Sequence, residues 1–92
     1  MRFAWDESKR QVNFDKHGLD FKDAEAVFAG LTYTFEDDRE DYGEPRSITF
    51  GMLASRVVVI VHTEREDDVI RIISMRKALK YEAEIYSTEV GL

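Results

Sequence analysis

The chain has no cysteine, a single proline and two histidines among its 92 residues. Without thiols it forms neither disulfides nor thiolate metal sites, a composition compatible with a reducing cytoplasm. No apolar run approaches the roughly 18 residues of a membrane span, and the opening MRFAWDESKR lacks the apolar core of a signal peptide. The expectation is therefore a cytoplasmic protein without a membrane partner. No GxGxxG, P-loop, GxSxG, HxxxH, HExxH or EF-hand pattern occurs, so the sequence offers no fingerprint for nucleotide, serine-hydrolase, zinc or calcium chemistry. Neither a metal nor a cofactor is expected.

Positive charge is also scarce. Thirteen lysines and arginines face 19 acidic residues, for a net charge of −6, which counts against the basic footprint of a nucleic-acid binder. The excess is local, however. Glu36, Asp37, Asp38, Glu40, Asp41 and Glu44 crowd one stretch in which Arg39 is the one basic residue, and this stretch reads as a solvated loop. Setting it aside leaves the remainder nearly balanced.

What is present suits one domain over residues 1–92, with a hydrophobic content of 43% that argues against disorder. Arg2 to Ala4 reads as a short strand. Asp6 or Ser8 caps a helix through Lys16 that Gly18 ends, with Val12 on its thin apolar face. Asp20 caps a second helix closed by Gly30, placing Phe21, Ala24, Val27 and Phe28 on one side. Residues 32–36 alternate as a strand does. Ile48, Phe50 and Met52 mark a strand with one buried face, and VVVIV at 57–61 a central strand covered on both. Ile70, Ile72 and Ile73 supply the next strand, and from Arg76 onward Ala78, Leu79, Ile85 and Tyr86 recur at helical spacing. The fold class is α+β: N-terminal helices packed on an antiparallel meander of three or four strands, with a C-terminal helix.

The hairpin VVVIVHTEREDDVIRIISMRKA concentrates the chemistry. A two-residue or four-residue turn puts His62, Glu64 and Arg71 on one sheet face, and a three-residue turn groups His62 and Glu64 with Ser74 and Arg76. Either way a histidine and a carboxylate share a face with an arginine. Those groups suffice for metal-free phosphodiester cleavage: a base deprotonates the ribose 2′-hydroxyl, an acid protonates the departing 5′-oxygen, and arginine forks hold the phosphorus oxygens. The alternative is structural, with Glu–Arg pairs as sheet decoration and a histidine serving only to pack. Lys16-His17-Gly18 is explained as a helix end, where basic groups suit the dipole.

Phe3-x-Trp5-Asp6, Lys9, Asn13, Lys16-His17-Gly18, Gly43-Glu44-x-Arg46, Val61-His62-Thr63-Glu64-Arg65, Ile70-Arg71-Ile72-Ile73-Ser74, Arg76 and Glu82…Tyr86 together resemble the BrnT toxins. The resemblance runs in order along nearly the whole chain. It implies a RelE-like ribonuclease fold, RNA cleavage that halts translation, and inhibition by a BrnA-like antitoxin with a ribbon-helix-helix DNA-binding domain. Operator DNA would then be met only through the complex with that antitoxin. Carried over by position, His62 and Glu64 are the acid–base candidates, and Arg71 and Arg76 contact the phosphate and transition state. Lys16, Arg46 and Arg65 would touch RNA. Two departures stand out: Glu40-Asp41 replaces a usual His-Ser, and the last helix carries Tyr81, Ala83 and Glu84 where arginines are common. Both remove positive charge, which leaves open a weak or inactive module that binds its antitoxin and supports operon repression.

Overall fold

Asp6 starts the first helix by accepting hydrogen bonds from the backbone N–H groups of Ser8 and Lys9, which satisfies donors that have no partner inside the helix. Gly18 ends it in the left-handed region at φ 71°, where a side chain is unfavourable. A computed structural model describes residues 1–65 and 68–92, for Glu64 and Arg65 the backbone alone. In chain order it contains β1 (Arg2–Ala4), α1 (Glu7–His17), a 3-10 turn (Phe21–Asp23), α2 (Ala24–Phe28), β2 (Thr32–Asp37), β3 (Arg46–Leu53), β4 (Arg56–Arg65), β5 (Val69–Lys77) and α3 (Lys80–Val90).

The strands form one five-stranded sheet in the order β1-β5-β4-β3-β2. Strands β2 to β5 make the expected antiparallel meander, but β1 adds to β5 in parallel. The sheet is therefore mixed and has five strands, a correction to the three or four antiparallel strands read from periodicity. A three-residue strand carries no period of its own, and its pairing becomes visible only once α1 returns the chain along the sheet. Arg76, expected to open the last helix, lies within β5, and α3 begins at Lys80.

Both faces of the sheet are covered. Phe21, Ala24 and Val27 are fully buried against Val58, Ile60, Ile70, Ile72 and Met75 on one face. On the other, Tyr86 of α3 packs on Ile48, Phe50 and Val59. The non-alternating VVVIV run is explained by this double cover, with Val58, Val59 and Ile60 all buried. Helix α2 comes so close that a Cβ on Gly51 would stand 2.5 Å from a methyl carbon of Val27; only glycine fits there.

Helix α1 docks differently from expectation. Val12 is 65% exposed and Phe14 is also exposed, whereas Asn13 is buried. Its side-chain amide donates to the carbonyls of Met75 (2.9 Å) and Leu19 (3.2 Å), and its Oδ1 accepts from the Met75 N–H (3.1 Å). Asn13 thus occupies the edge of β5 beyond the reach of β1, replacing a strand partner. Arg10 adds a two-pronged bond to Asp20 (2.8 and 2.9 Å) that ties α1 to the next turn.

Replacing Asn13 with alanine removes three hydrogen bonds and leaves both polar groups of the Met75 backbone without a protein partner. The expected loss is about 2–4 kcal/mol of folding stability, measured by urea denaturation; a change below about 0.5 kcal/mol would contradict this docking mode.

Candidate functional site

The strand pairing decides which side chains meet. Arg65 pairs with Val69, so three residues join β4 to β5; of these, Glu66 and Asp67 lie outside the described residues. His62 pairs with Ile72 and Thr63 with Arg71. Between Val61 and His62 the register shifts, Val61 pairing with Ser74, so that Ile73 is the extra residue of a β-bulge. After the bulge Ile60 faces Met75 and Val59 faces Arg76.

This corrects the hairpin arithmetic, in which every register joined His62 to an arginine. Before the bulge His62 sits with Ile72, and after it the parity reverses, so Arg76 also falls on the opposite face. His62 and the two arginines are thus on different sides of the sheet. A uniform register pairs one parity along the whole hairpin, whereas a bulge is two registers in one hairpin. The side chain of Glu64, and with it that part of the expectation, lies outside the described residues, as does the side chain of Arg65.

His62 is fully buried on the α2 face. The Phe28 ring meets it edge-on, with centroids 5.2 Å apart and planes at 86°. Its Nε2 is in hydrogen-bond contact with Thr49 Oγ1 at 2.7 Å, and Thr49 Oγ1 with Thr34 Oγ1 at 2.7 Å, making a polar chain across three strands. Its Nδ1 is buried with no protein partner. Burial pushes the imidazole pKa down from 6.5 to about 4, because an enclosed charge loses its hydration. The ring is therefore neutral near pH 7.

The other face carries the arginines. Thr63 and Arg71 are direct cross-strand neighbours, Ala4 pairs with Arg71, and Arg46 pairs with Asp37. Continuing the β3–β4 register one step beyond Ser47–His62 sets Arg46 opposite Thr63. The result is one row across the sheet: Asp37, Arg46, Thr63, Arg71, Ala4. Arg71 is half-buried beside a cavity of about 540 Å³ lined also by Arg2, Trp5 and Asp6, and it has no ion pair among the described residues. The Arg46 guanidinium lies 4.0 Å above the Tyr42 ring. Thr63 is 4% exposed, and its Oγ1 and the Arg46 Nε are both buried without a protein partner, each costing about 1–3 kcal/mol while unsatisfied.

The acidic stretch is not uniformly a solvated loop. Asp37 is buried, bonded at both oxygens by Arg39 (2.7 and 2.9 Å) and contacted by the Tyr42 hydroxyl (3.2 Å). The Arg39 fork and these bonds hold its carboxyl at about 2. Its neighbours Asp38, Glu40, Asp41 and Glu44 are exposed, as expected.

Arg76 is committed elsewhere. Its guanidinium makes a two-pronged bond to Glu82 (2.8 Å twice), whose Oε1 also accepts from the Leu79 N–H (2.8 Å) and so caps α3. Arg76 holds the buried Glu82 carboxyl below its usual range. The pair borders a groove of about 400 Å³ lined by Tyr33, Phe35, Arg39, Tyr81 and Ile85. Lys16 lies in neither place: it is exposed and borders a separate groove between α1 and β5. Among the described residues no cluster of three or more histidines and carboxylates is placed to hold a metal ion, and no helix is long and apolar enough to cross a membrane.

Sequence reasoning missed Thr63, Thr49, Thr34 and the role of Asp37. Thr63 lies inside the motif that carries the family resemblance, and counting register from Arg71 with a bulge allowed would have found it. The hydroxyl chain to His62 has no comparable signal.

A family model for the ribonuclease toxin BrnT of type II toxin–antitoxin systems matches residues 5–82, a span that contains the whole row from Asp37 to Arg71 and the Arg76–Glu82 pair. Among solved structures, the crystal structure of the Brucella abortus ribonuclease toxin BrnT superposes with a TM-score of 0.69 at 29% identity, covering 87% of this chain and 99% of that one. No curated protein matches the chain.

The unfolded chain protonates His62 near pH 6.5 and the folded chain only near 4. Stability should therefore fall as pH drops from about 6.5 towards 4, by about 3 kcal/mol in total from this group. Asp20 and Asp37, held near 2 in the fold against 3.8 ordinarily, lose their contributions only below that window. A Tm series across pH 6.5 to 4 should show the decline in the wild type and a flatter course in His62→Gln. Equal slopes would remove His62 as its source.

Proposed function

Because this chain belongs to the BrnT family of ribonuclease toxins of type II toxin–antitoxin systems, we propose that it is a metal-independent endoribonuclease with a RelE-like fold. It cleaves cytoplasmic RNA, inhibits translation, and is neutralised by a BrnA-like ribbon-helix-helix antitoxin, through which alone it reaches operator DNA. The observation that carries this reading is the row Arg46–Thr63–Arg71 on the sheet face opposite His62. Arg46 and Arg71 are two strands apart, about 10 Å between Cα atoms, a spacing from which two long guanidinium side chains can reach one phosphate. Neither has an ion pair among the described residues, although carboxylates are abundant in this chain.

In the proposed reaction the ribose 2′-oxygen attacks the adjacent phosphorus and the 5′-oxygen leaves. Arg46 and Arg71 stabilise the charge that gathers on the non-bridging oxygens, the role in which fixed donors contribute most. We read His62, enclosed under Phe28 and in hydrogen-bond contact with Thr49, as a residue that holds β4 in place, in preference to a proton-transfer role. Glu64 is kept as a proton-transfer candidate on the family resemblance alone, since its backbone pairs with Ile70 of the α2-face core. Arg65 is retained as an RNA contact, Lys16 as a peripheral one, and Arg76 acts through the Glu82 clamp by fixing the end of β5.

That clamp also favours a second reading. An arginine spent on Glu82, together with the acidic surface, suits a module that binds its antitoxin and supports operon repression with little cleavage of its own.

Purified wild-type chain incubated with RNA in EDTA separates the two. The nuclease reading expects cleavage, reduced at least about 100-fold by Arg71→Ala or Glu64→Gln, and growth arrest on induction without the antitoxin. Intact RNA with a folded wild type would sink it. RNA affinity should also fall steeply with salt, and Arg71→Ala should reduce the slope of log K against log salt by about 0.7; an unchanged slope would exclude Arg71 from phosphate contact.

A further inference from the structure

We infer that Thr63 is a substrate-binding residue: Arg46, Thr63 and Arg71 form one oxyanion site in which the Thr63 hydroxyl donates to a non-bridging oxygen of the RNA phosphate. The inference deepens the ribonuclease reading and rests on it for the identity of the substrate. Its own ground is a coincidence of vacancies in hydrogen bonding. Thr63 Oγ1 and Arg46 Nε are both buried without a protein partner, and continuing the β3–β4 register one step beyond Ser47–His62 sets the two residues opposite each other on adjacent strands.

The chemistry of the two atoms narrows what can satisfy them together. Arginine Nε–H only donates, and a threonine hydroxyl has a hydrogen to donate. A single acceptor placed between them completes both, and an oxyanion presents several acceptor oxygens at once. Charge selects the anion over a neutral acceptor. Arg10 is paired with Asp20, Arg39 with Asp37 and Arg76 with Glu82, yet Arg46 and Arg71 have no carboxylate among the described residues. Asp37 is the lateral neighbour of Arg46 in the same row, and the Arg39 fork and the Tyr42 hydroxyl hold its carboxylate instead. An adjacent carboxylate is thus kept from closing the site.

Thr63 suits the position because it is central in the row, on β4 with an arginine strand on each side. Its backbone is fixed by pairing to β5, so the hydroxyl is presented from a rigid element, while the two guanidiniums are carried on flexible stems. An incoming phosphate needs only side-chain rearrangement of Arg46 and Arg71 to reach the hydroxyl.

Thr63→Val keeps the side-chain shape and deletes the hydroxyl; Thr63→Ser keeps the hydroxyl. The probe is orthophosphate at constant ionic strength, read as a shift in Tm. The inference expects phosphate to stabilise wild type and Thr63→Ser, and to bind Thr63→Val at least tenfold more weakly. A parallel readout needs no variant: the Thr63 methyl resonance of the wild type should move on phosphate titration and saturate with the same affinity. An unmoved resonance, or equal phosphate binding by Thr63→Val, overturns the inference. The two readings fail separately. Phosphate bound at Thr63 with RNA left intact removes the nuclease reading and leaves the anion site standing. RNA cut equally by wild type and Thr63→Val, with equal phosphate affinity, removes the inference and leaves the nuclease.

Discussion

One extra residue in β5 governs how this sheet is divided between packing and chemistry. Ile73 shifts the pairing with β4 by one position, and because side chains alternate with period two, everything beyond it changes face. Ile72 and Met75 therefore both point into the same core although they are three positions apart. Arg71 and Arg76 share the opposite face for the same reason. Without the bulge one of these arginines would enter the apolar layer beneath α2, where a buried guanidinium needs a partner that the layer does not contain. The bulge reconciles an unbroken apolar core with an arginine-bearing surface drawn from a single strand.

Much of the fold was legible because its signals are local. Asp6 and Gly18 bracket α1 by capping geometry, Phe21, Ala24 and Val27 show their common face by spacing, and VVVIV reads as a doubly covered strand from composition alone. What escaped notice depends on pairing at long range. The parallel strand β1 is too short to show a period, and the bulge has no residue type that announces it. Asn13 reads as a polar helix position until the Met75 backbone is placed beside it. The candidate site shows the same division. Its residue types were visible in the hairpin, but their distribution between faces was not, since one shift of register exchanges partners wholesale. The membership of His62 in a buried chain of hydroxyls has no signature in sequence.

The acidity of the chain, which argued against RNA, acquires a different meaning in the fold. Several carboxylates are assigned to particular arginines: Asp20 to Arg10, Asp37 to Arg39, Glu82 to Arg76. These pairs are partly exposed and individually modest in stability, but each fixes where positive charge is neutralised. By elimination they define where it is not. The distribution of ion pairs, more than net charge, is what singles out one row of the sheet as the proposed anion site, and net charge alone would overlook it.

The Asn13 amide has a consequence for the solution behaviour of the chain. Where β1 stops, the outer side of β5 would expose a bare backbone donor and acceptor at Met75, an invitation to strand addition from a second molecule. The asparagine takes both groups and screens that margin with a helix. On this side of the molecule, association is left to side chains, whose identity selects the partner, and is withheld from the backbone, which accepts any strand.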